Sequence, residues 1–189
     1  MLNYFKFIEI LISIQSLFLS TMIPLFGTLP FNNILKNSFE FPITLQVPII
    51  ILLALIFEQK IVFSALTIYL FLGLFIIPVF YEGGSLGYLL SPNFGYLIGY
   101  YPLIKKIGDL NNKNKIYMVD VLRKGIIAII YIHLTGLLYS FIQLLYYKQI
   151  DIFLYNLGNF SLGMIGYHFL MLFPLLLLIK PINYLKLDR

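Results

Sequence analysis

Two histidines, His133 and His168, lie near the middle of two consecutive apolar stretches of this 189-residue chain. An imidazole ring can donate and accept hydrogen bonds, so it can hold a polar ligand without carrying a charge. Polar groups at such depth tend to face the interior of a helix bundle or a cavity. The two histidines are therefore candidates for lining a ligand pocket.

Small and polar residues recur at three- and four-residue spacing near both histidines, so that on a helix each set shares one face. The sets are His133, Gly136, Ser140 and Gln143, followed by Asn156, Asn159, Gly163 and Gly166. Close helix packing accounts for both faces, because small residues allow approach and polar ones bond across the interface. The alternative is that the two faces line one pocket that opens outward.

The segment Gly83-Gly84-Ser85-Leu86-Gly87 fits the G-x-S-x-G pattern of serine hydrolases. It follows an apolar run rather than a strand, and both histidines lie in other runs, so we interpret its glycines as points where the backbone bends. The chain has no GxxxxGK[ST] or HExxH motif and no cysteine. We therefore predict no catalytic residue, no metal site, no cofactor and no ATPase activity of its own.

Six apolar runs must position these residues, at 7–26, 43–57, 61–80, 86–104, 119–145 and 153–179. The chain is 60% hydrophobic with a mean hydropathy of +0.92, and 11% of its residues are charged, against roughly 25% in soluble proteins. Since about 20 residues span a bilayer, we predict an all-α membrane protein with six transmembrane helices in one domain, 1–189. The first run has no small-residue cleavage site and is interpreted as a retained span.

The basic residues predict the orientation of this bundle. With both termini cytoplasmic, 11 of the 13 lysines and arginines lie inside and Lys36 and Lys148 lie outside, as the positive-inside rule requires. The net charge of +5 then reflects topology rather than a nucleic-acid partner. We expect a multi-pass plasma-membrane protein with a glycine-rich outer loop between helices 3 and 4. The outer segment Gly27 to Glu40 is either a lid or a connector.

All eight acidic residues lie between the runs or at their ends. Ion-coupled carriers generally need carboxylates at membrane depth. If the chain transports a solute uphill, we expect the energy to come from another subunit.

Several ordered motifs resemble the BioY family, the biotin-binding S components of energy-coupling-factor transporters. They are Pro42-Ile43-Thr44-Leu45-Gln46, the run from Tyr69 to Phe80, the glycine-rich loop and Gly95-Tyr96-Leu97-Ile98-Gly99. The resemblance runs from about Pro24 to Gly99. It implies a six-helix bundle that captures biotin on the outer side. A transmembrane T component and two ATP-binding subunits would supply the energy.

The resemblance also implies site residues. The positions that match the family or face the implied pocket are Thr44, Gln46, Gly84, Gly87, Tyr88, Asn93 and Tyr96. In the family, small residues on the first helix dock the T component, and the small-xxx-small pair Ser16 and Ser20 is the candidate for that face here.

The sixth helix departs from the family pattern, which carries an Asp and a Lys three positions apart. This chain reads Gly166-Tyr167-His168-Phe169-Leu170 instead. His168, Tyr167 and Asn159 could replace that charged pair by neutral hydrogen bonds, with His133 beside them. This leaves open an S component for another small vitamin-like ligand, a non-transporting scaffold subunit and, least supported, an intramembrane enzyme.

Overall fold

The computed structural model describes residues 4–25, 43–80, 83–113 and 115–187, and nearly all of its regular structure is helical. The first half contains α1 (Tyr4–Met22), β1 (Pro24–Leu25), β2 (Ile43–Thr44), α2 (Gln46–Ile56), α3 (Gln59–Phe75) and a 3₁₀ helix (Leu86–Leu90). The second half contains α4 (Asn93–Ile98), α5 (Tyr100–Asn111), α6 (Met118–Tyr147), α7 (Ile150–Asn156), a π-helix (Leu157–Leu162), α8 (Gly163–Leu170), α9 (Leu172–Leu177) and α10 (Ile179–Leu187). The outer segment Gly27 to Glu40 lies outside the described residues.

Three helical segments of the described chain are long and apolar enough to cross a membrane: Tyr4–Met22, Met118–Tyr147 and Ile150–Leu177. The helices Gln46–Ile56 and Gln59–Phe75 are apolar but shorter. The expected helical class is therefore found. A two-residue antiparallel strand pair, with Pro24 opposite Thr44, was not expected.

Burial separates a core from an apolar outer surface. The centre is built from α2, α3 and α5, where Ile50, Leu66 and Leu103 are fully buried. On α6, by contrast, Leu138 and Leu145 remain 61% and 63% exposed. Large apolar side chains on the outside of a helix are stable in hydrocarbon rather than in water.

Prolines set the breaks in the later helices. A proline removes the hydrogen bond to the carbonyl four residues earlier and its ring clashes there. Three helices each end four residues before a proline. They are α4 at Ile98 before Pro102, α8 at Leu170 before Pro174, and α9 at Leu177 before Pro181. Pro102 thus marks the boundary between α4 and α5 within the fourth apolar run.

One end of the bundle, here called the basic end, is fastened by polar contacts between distant segments. Lys6 pairs with Glu58 at 3.0 Å, and Asn111 Nδ2 donates to the Phe57 carbonyl at 2.6 Å. Asn183 donates to the Ile116 carbonyl and accepts from its amide, both at 2.8 Å.

The opposite end, here called the loop end, carries the strand pair and residues 83–92. The Leu45 amide donates to the Ser20 carbonyl at 3.2 Å, and the Ser85 amide donates to the Gly73 carbonyl at 2.9 Å. Ser85 has a φ of 81° and Gly83 a φ of 121°, a conformation that glycine adopts without strain and serine does not. The glycine-rich sequence therefore serves a sharp turn, as its composition predicted.

Candidate ligand-binding site

A cavity lies between α2, α4, α6 and the segment 157–170, with Thr44, Tyr88 and Asn93 of the loop end in its wall. Its cavity volume is about 100 Å³, smaller than the roughly 300–1,000 Å³ of most small-molecule sites. Its lining consists of Thr44, Gln46, Val47, Tyr88, Asn93, Tyr96, Leu97, Tyr100, Ile132, Phe160, Met164 and His168. None of these is an acid, lysine or arginine, so the site offers neutral hydrogen bonds and aromatic surface.

Gln46, at the start of α2, is held by a buried polar network behind the cavity wall. Its Nε2 donates to Thr21 Oγ1 and to Tyr69 Oη, both at 2.8 Å. Its Oε1 accepts from Tyr100 Oη at 3.2 Å. Both amide protons are therefore used inside the protein, and one lone pair of Oε1 remains for a ligand.

Tyr96 forms one side wall of the cavity and is positioned by α6 and the π-helix. Its hydroxyl lies 2.6 Å from Ser161 Oγ, and its ring meets the His133 ring edge-on at 5.9 Å. A Cβ atom built on Gly136 would lie 2.5 Å from three Tyr96 ring atoms. Gly136 is therefore the residue that lets this tyrosine pack against α6.

Tyr88 and Asn93 come from the segment that caps the loop end. Tyr88 is 7% exposed, and its ring packs on Phe80 with the centroids 4.5 Å apart. The backbone N–H of Asn93 donates to Ser91 Oγ at 3.3 Å, which fixes the start of α4. Packing thus holds the Tyr88 ring, and the turn bond places the backbone of Asn93, beside the cavity.

The two histidines are directly bonded to each other. His133 Nε2 lies 3.1 Å from His168 Nδ1, and the ring centroids are 5.2 Å apart. His168 lines the cavity, whereas His133 is 3% exposed and lies behind it. His133 Nδ1 is buried without a hydrogen-bond partner.

The structure brings six of the residues singled out from the sequence onto this cavity: Thr44, Gln46, Tyr88, Asn93, Tyr96 and His168. Gly84 and Gly87 lie elsewhere on the loop, where a Cβ on Gly84 would meet the Gly73 carbonyl at 2.6 Å. Asn159 and Tyr167 are not in the lining, and the Tyr167 hydroxyl is buried without a partner.

The predicted docking pair on α1 is divided by the packing. Ser20 is 2% exposed, and its hydroxyl donates to the Leu17 carbonyl at 2.7 Å. Ser16 is partly exposed, and its hydroxyl donates to the Ile12 carbonyl at 2.8 Å. Of the two, Ser16 is the residue that reaches the outer surface of α1.

The lining includes six residues that sequence reasoning did not select: Val47, Leu97, Tyr100, Ile132, Phe160 and Met164. Two spacing patterns could have found three of them. Tyr96 and Tyr100 are four residues apart, and Phe160, Met164 and His168 continue at four-residue steps, so each set shares a helix face. Leu97, Val47 and Ile132 carry no signal beyond being apolar.

Comparison with known proteins gives a consistent answer. The BioY family model matches residues 9–174, which confirms the resemblance read from the motifs. A protein of Lysinibacillus sphaericus described as a probable biotin transporter BioY is 35% identical over 79 residues, covering 42% of this chain and 36% of the relative. The chain therefore matches only about a third of that relative's length.

A solved structure shares the fold. The crystal structure of the S-component for biotin from an ECF-type ABC transporter superposes with a TM-score of 0.64 at 20% identity, covering 95% of each chain. At this identity the likeness establishes the fold. The chain is thus a helical membrane protein with the fold of a transporter S component.

Proposed function

The chain belongs to the BioY family, and from this premise we propose that it is the substrate-capture subunit of an energy-coupling-factor transporter for biotin. The observation that carries the proposal is the cavity at the loop end. It is enclosed by aromatic rings and bears a few convergent polar groups, the usual composition of a small-molecule site. Six residues chosen from the sequence, including Thr44 and Asn93, meet on its wall.

The lining suits a neutral bicyclic ring with polar edges. Tyr88, Tyr96 and Phe160 provide flat apolar surface, while Asn93 and His168 provide hydrogen-bonding atoms. Burying a ureido group without partners would cost about 1–3 kcal/mol for each unsatisfied atom. We assign Thr44, Asn93 and His168 as the groups that meet this need, with Gln46 and His133 positioning the wall.

We further propose that the single domain crosses the plasma membrane six times with both termini inside. Lys6, Lys113 and Lys124 lie at the basic end and Lys148 at the loop end, which supports an outward-facing cavity. The chain contains no cysteine, so single cysteines can be introduced cleanly. In intact cells an impermeant maleimide should label Gln149→Cys and not Asn112→Cys; the reverse pattern would invert the proposed orientation.

As an S component the chain would not be an enzyme, and a T component and two ATP-binding subunits would energise uptake. The absence of a phosphate-binding motif in its sequence supports this division of labour. Ser16 on α1 is the residue we assign to the contact with the T component. Co-expression with such subunits should give ATP-dependent biotin uptake, and a Ser16→Leu variant should bind biotin normally but lose uptake.

Binding is tested on the purified protein in nanodiscs. Labelled biotin should bind saturably and should not be displaced by thiamin, riboflavin or a fatty acid. Asn93→Ala should weaken binding about two- to tenfold through the loss of one hydrogen bond. Asn112→Ala, at an exposed position in the turn after α5, is the matched control and should leave binding unchanged. Biotin that fails to bind the unaltered protein overturns the proposal.

A second candidate is an S component for a different small vitamin. It is favoured by one observation: among the described lining residues there is no lysine or arginine to meet a carboxylate. In that case thiamin or riboflavin would displace the label or bind in place of biotin.

A further inference from the structure

The contact between His133 and His168 requires one hydrogen between the two facing ring nitrogens. Their facing nitrogens, Nε2 and Nδ1, are 3.1 Å apart, so one must carry hydrogen and the other must be a lone pair. In a neutral imidazole, the hydrogen bond made by one ring nitrogen decides whether the other nitrogen of that ring carries a hydrogen. The contact therefore decides which atom His168 offers to the cavity that it lines.

Two neutral arrangements satisfy the contact. In the first, His133 donates from Nε2, so its Nδ1 is a lone pair and His168 carries its hydrogen on Nε2. In the second, His168 donates from Nδ1, so its Nε2 is a lone pair and His133 carries its hydrogen on Nδ1. The cavity meets a donor in the first arrangement and an acceptor in the second.

The surroundings of His133 decide between them. Its Nδ1 is buried and has no hydrogen-bond partner. An orphaned N–H is rarer in folded proteins than an under-satisfied acceptor, because an unmade donor bond carries the full desolvation penalty. The second arrangement places an N–H at this atom. A positive charge on either ring would do so as well.

We propose that His133 is a positioning residue that fixes His168 as the tautomer protonated at Nε2. His168 then presents an N–H donor to the cavity and selects a ligand whose facing atom is an oxygen acceptor. This inference rests on the proposed function for the identity of the ligand, though not for the tautomer. The shared chemistry is a carbonyl or carboxylate oxygen, and biotin carries one at each end.

The tautomer is measured without any ligand. The chain has two histidines, so a sample labelled with ¹⁵N-histidine gives four ring-nitrogen signals, and protonated and bare nitrogens are well separated. We expect hydrogen on Nε2 of both rings, with assignment from a His168→Gln sample. A hydrogen on His168 Nδ1, or an imidazolium in either ring at neutral pH, would overturn the proposal.

Binding measurements then test the consequence. His133→Phe keeps an aromatic ring beside Tyr96 but removes the donor, so biotin should bind about tenfold more weakly. His133→Gln keeps an N–H at similar reach and should recover most of that loss. Equal weakening in both variants would mean that His133 only fills space. Should His133→Phe fail to fold, the spectrum of the unaltered protein still decides.

Two analogues identify the oxygen. In 2-iminobiotin, protonated at neutral pH, the ureido oxygen is replaced by nitrogen donors; a second analogue ends in a methyl group instead of the carboxylate. The analogue that lacks the contacted oxygen gains nothing from the His168 N–H, so it should bind His168→Ala at least as tightly as the unaltered protein. If His168→Ala weakens both analogues and biotin alike, His168 does not select an acceptor. Absence of biotin binding would refute the proposed function while the nitrogen spectrum would still decide the tautomer.

Discussion

The bond between Gln46 and Tyr100 gives the sharpest test of how the cavity wall is built. Gln46 is 6% and Tyr100 5% exposed, and the Tyr100 hydroxyl donates to Gln46 Oε1 at 3.2 Å. Thr21 Oγ1 and Tyr69 Oη lie 3.0 Å apart and stay paired if the amide is removed. Gln46→Leu therefore leaves one buried donor without a partner, that of Tyr100.

The magnitudes follow from this count. We expect Tyr100→Phe to lower the free energy of unfolding by about 1 kcal/mol, one net hydrogen bond, and Gln46→Leu to lower it by about 2 kcal/mol, since an orphaned donor is added. Removing both partners can be nearly neutral relative to removing one. The double variant should therefore cost about 2 kcal/mol rather than about 3 kcal/mol, a coupling within the range measured for contacting pairs.

The assay is reversible unfolding in mixed micelles, analysed as a double-mutant cycle. Costs that add within about 0.5 kcal/mol would show that the two side chains do not interact. Biotin binding supplies a second readout. The Tyr100 hydroxyl donates its hydrogen to Gln46 within the protein, so we do not expect it to donate to the ligand. Tyr100→Phe should change biotin affinity less than Asn93→Ala does; a larger loss would make this hydroxyl a ligand contact and refute its assignment to the scaffold.

Two further predictions concern packing and the basic end. Gly136→Ala should displace the Tyr96 ring, destabilise the protein by about 1–3 kcal/mol and weaken biotin binding, while Gly166→Ala, with nothing within 4 Å of its Cβ, should be neutral or stabilising in thermal unfolding. Asn183→Ala loses both bonds to the connection before α6 and should cost about 1–3 kcal/mol, against no change for exposed Asn112→Ala. A destabilised Gly166→Ala, or an unaffected Asn183→Ala, would contradict the contacts described.

The sequence carries local signals for part of the loop end. Thr44 and Gln46 are adjacent to a helix start, and the glycines around Ser85 require a backbone conformation that few residues adopt. The helical class followed from hydropathy alone. The strand pair did not, because two residues on each side carry no periodic pattern.

The sixth apolar run was harder to interpret because it is not a regular α-helix. Extrapolating three- and four-residue steps from Asn156 placed Asn159 on the pocket face. In the π-helix Leu157–Leu162, each backbone hydrogen bond reaches one residue further along the chain than in an α-helix. The helix face that meets the cavity therefore rotates. Phe160 and His168 then reach the cavity. No residue in this run indicates that the α-helix becomes a π-helix, since π-helices have no strong sequence signature.

The polar groups of the cavity divide into those that support the wall and those left for a ligand. Gln46 bonds inward and Tyr96 bonds to Ser161, so their geometry is set before any ligand arrives. Rigid walls reduce the ordering cost of binding. We propose that specificity comes chiefly from other polar side chains of the lining, those of Thr44, Asn93 and His168. Because these are neutral, the ligand is selected by the placement of its donors and acceptors rather than by its charge.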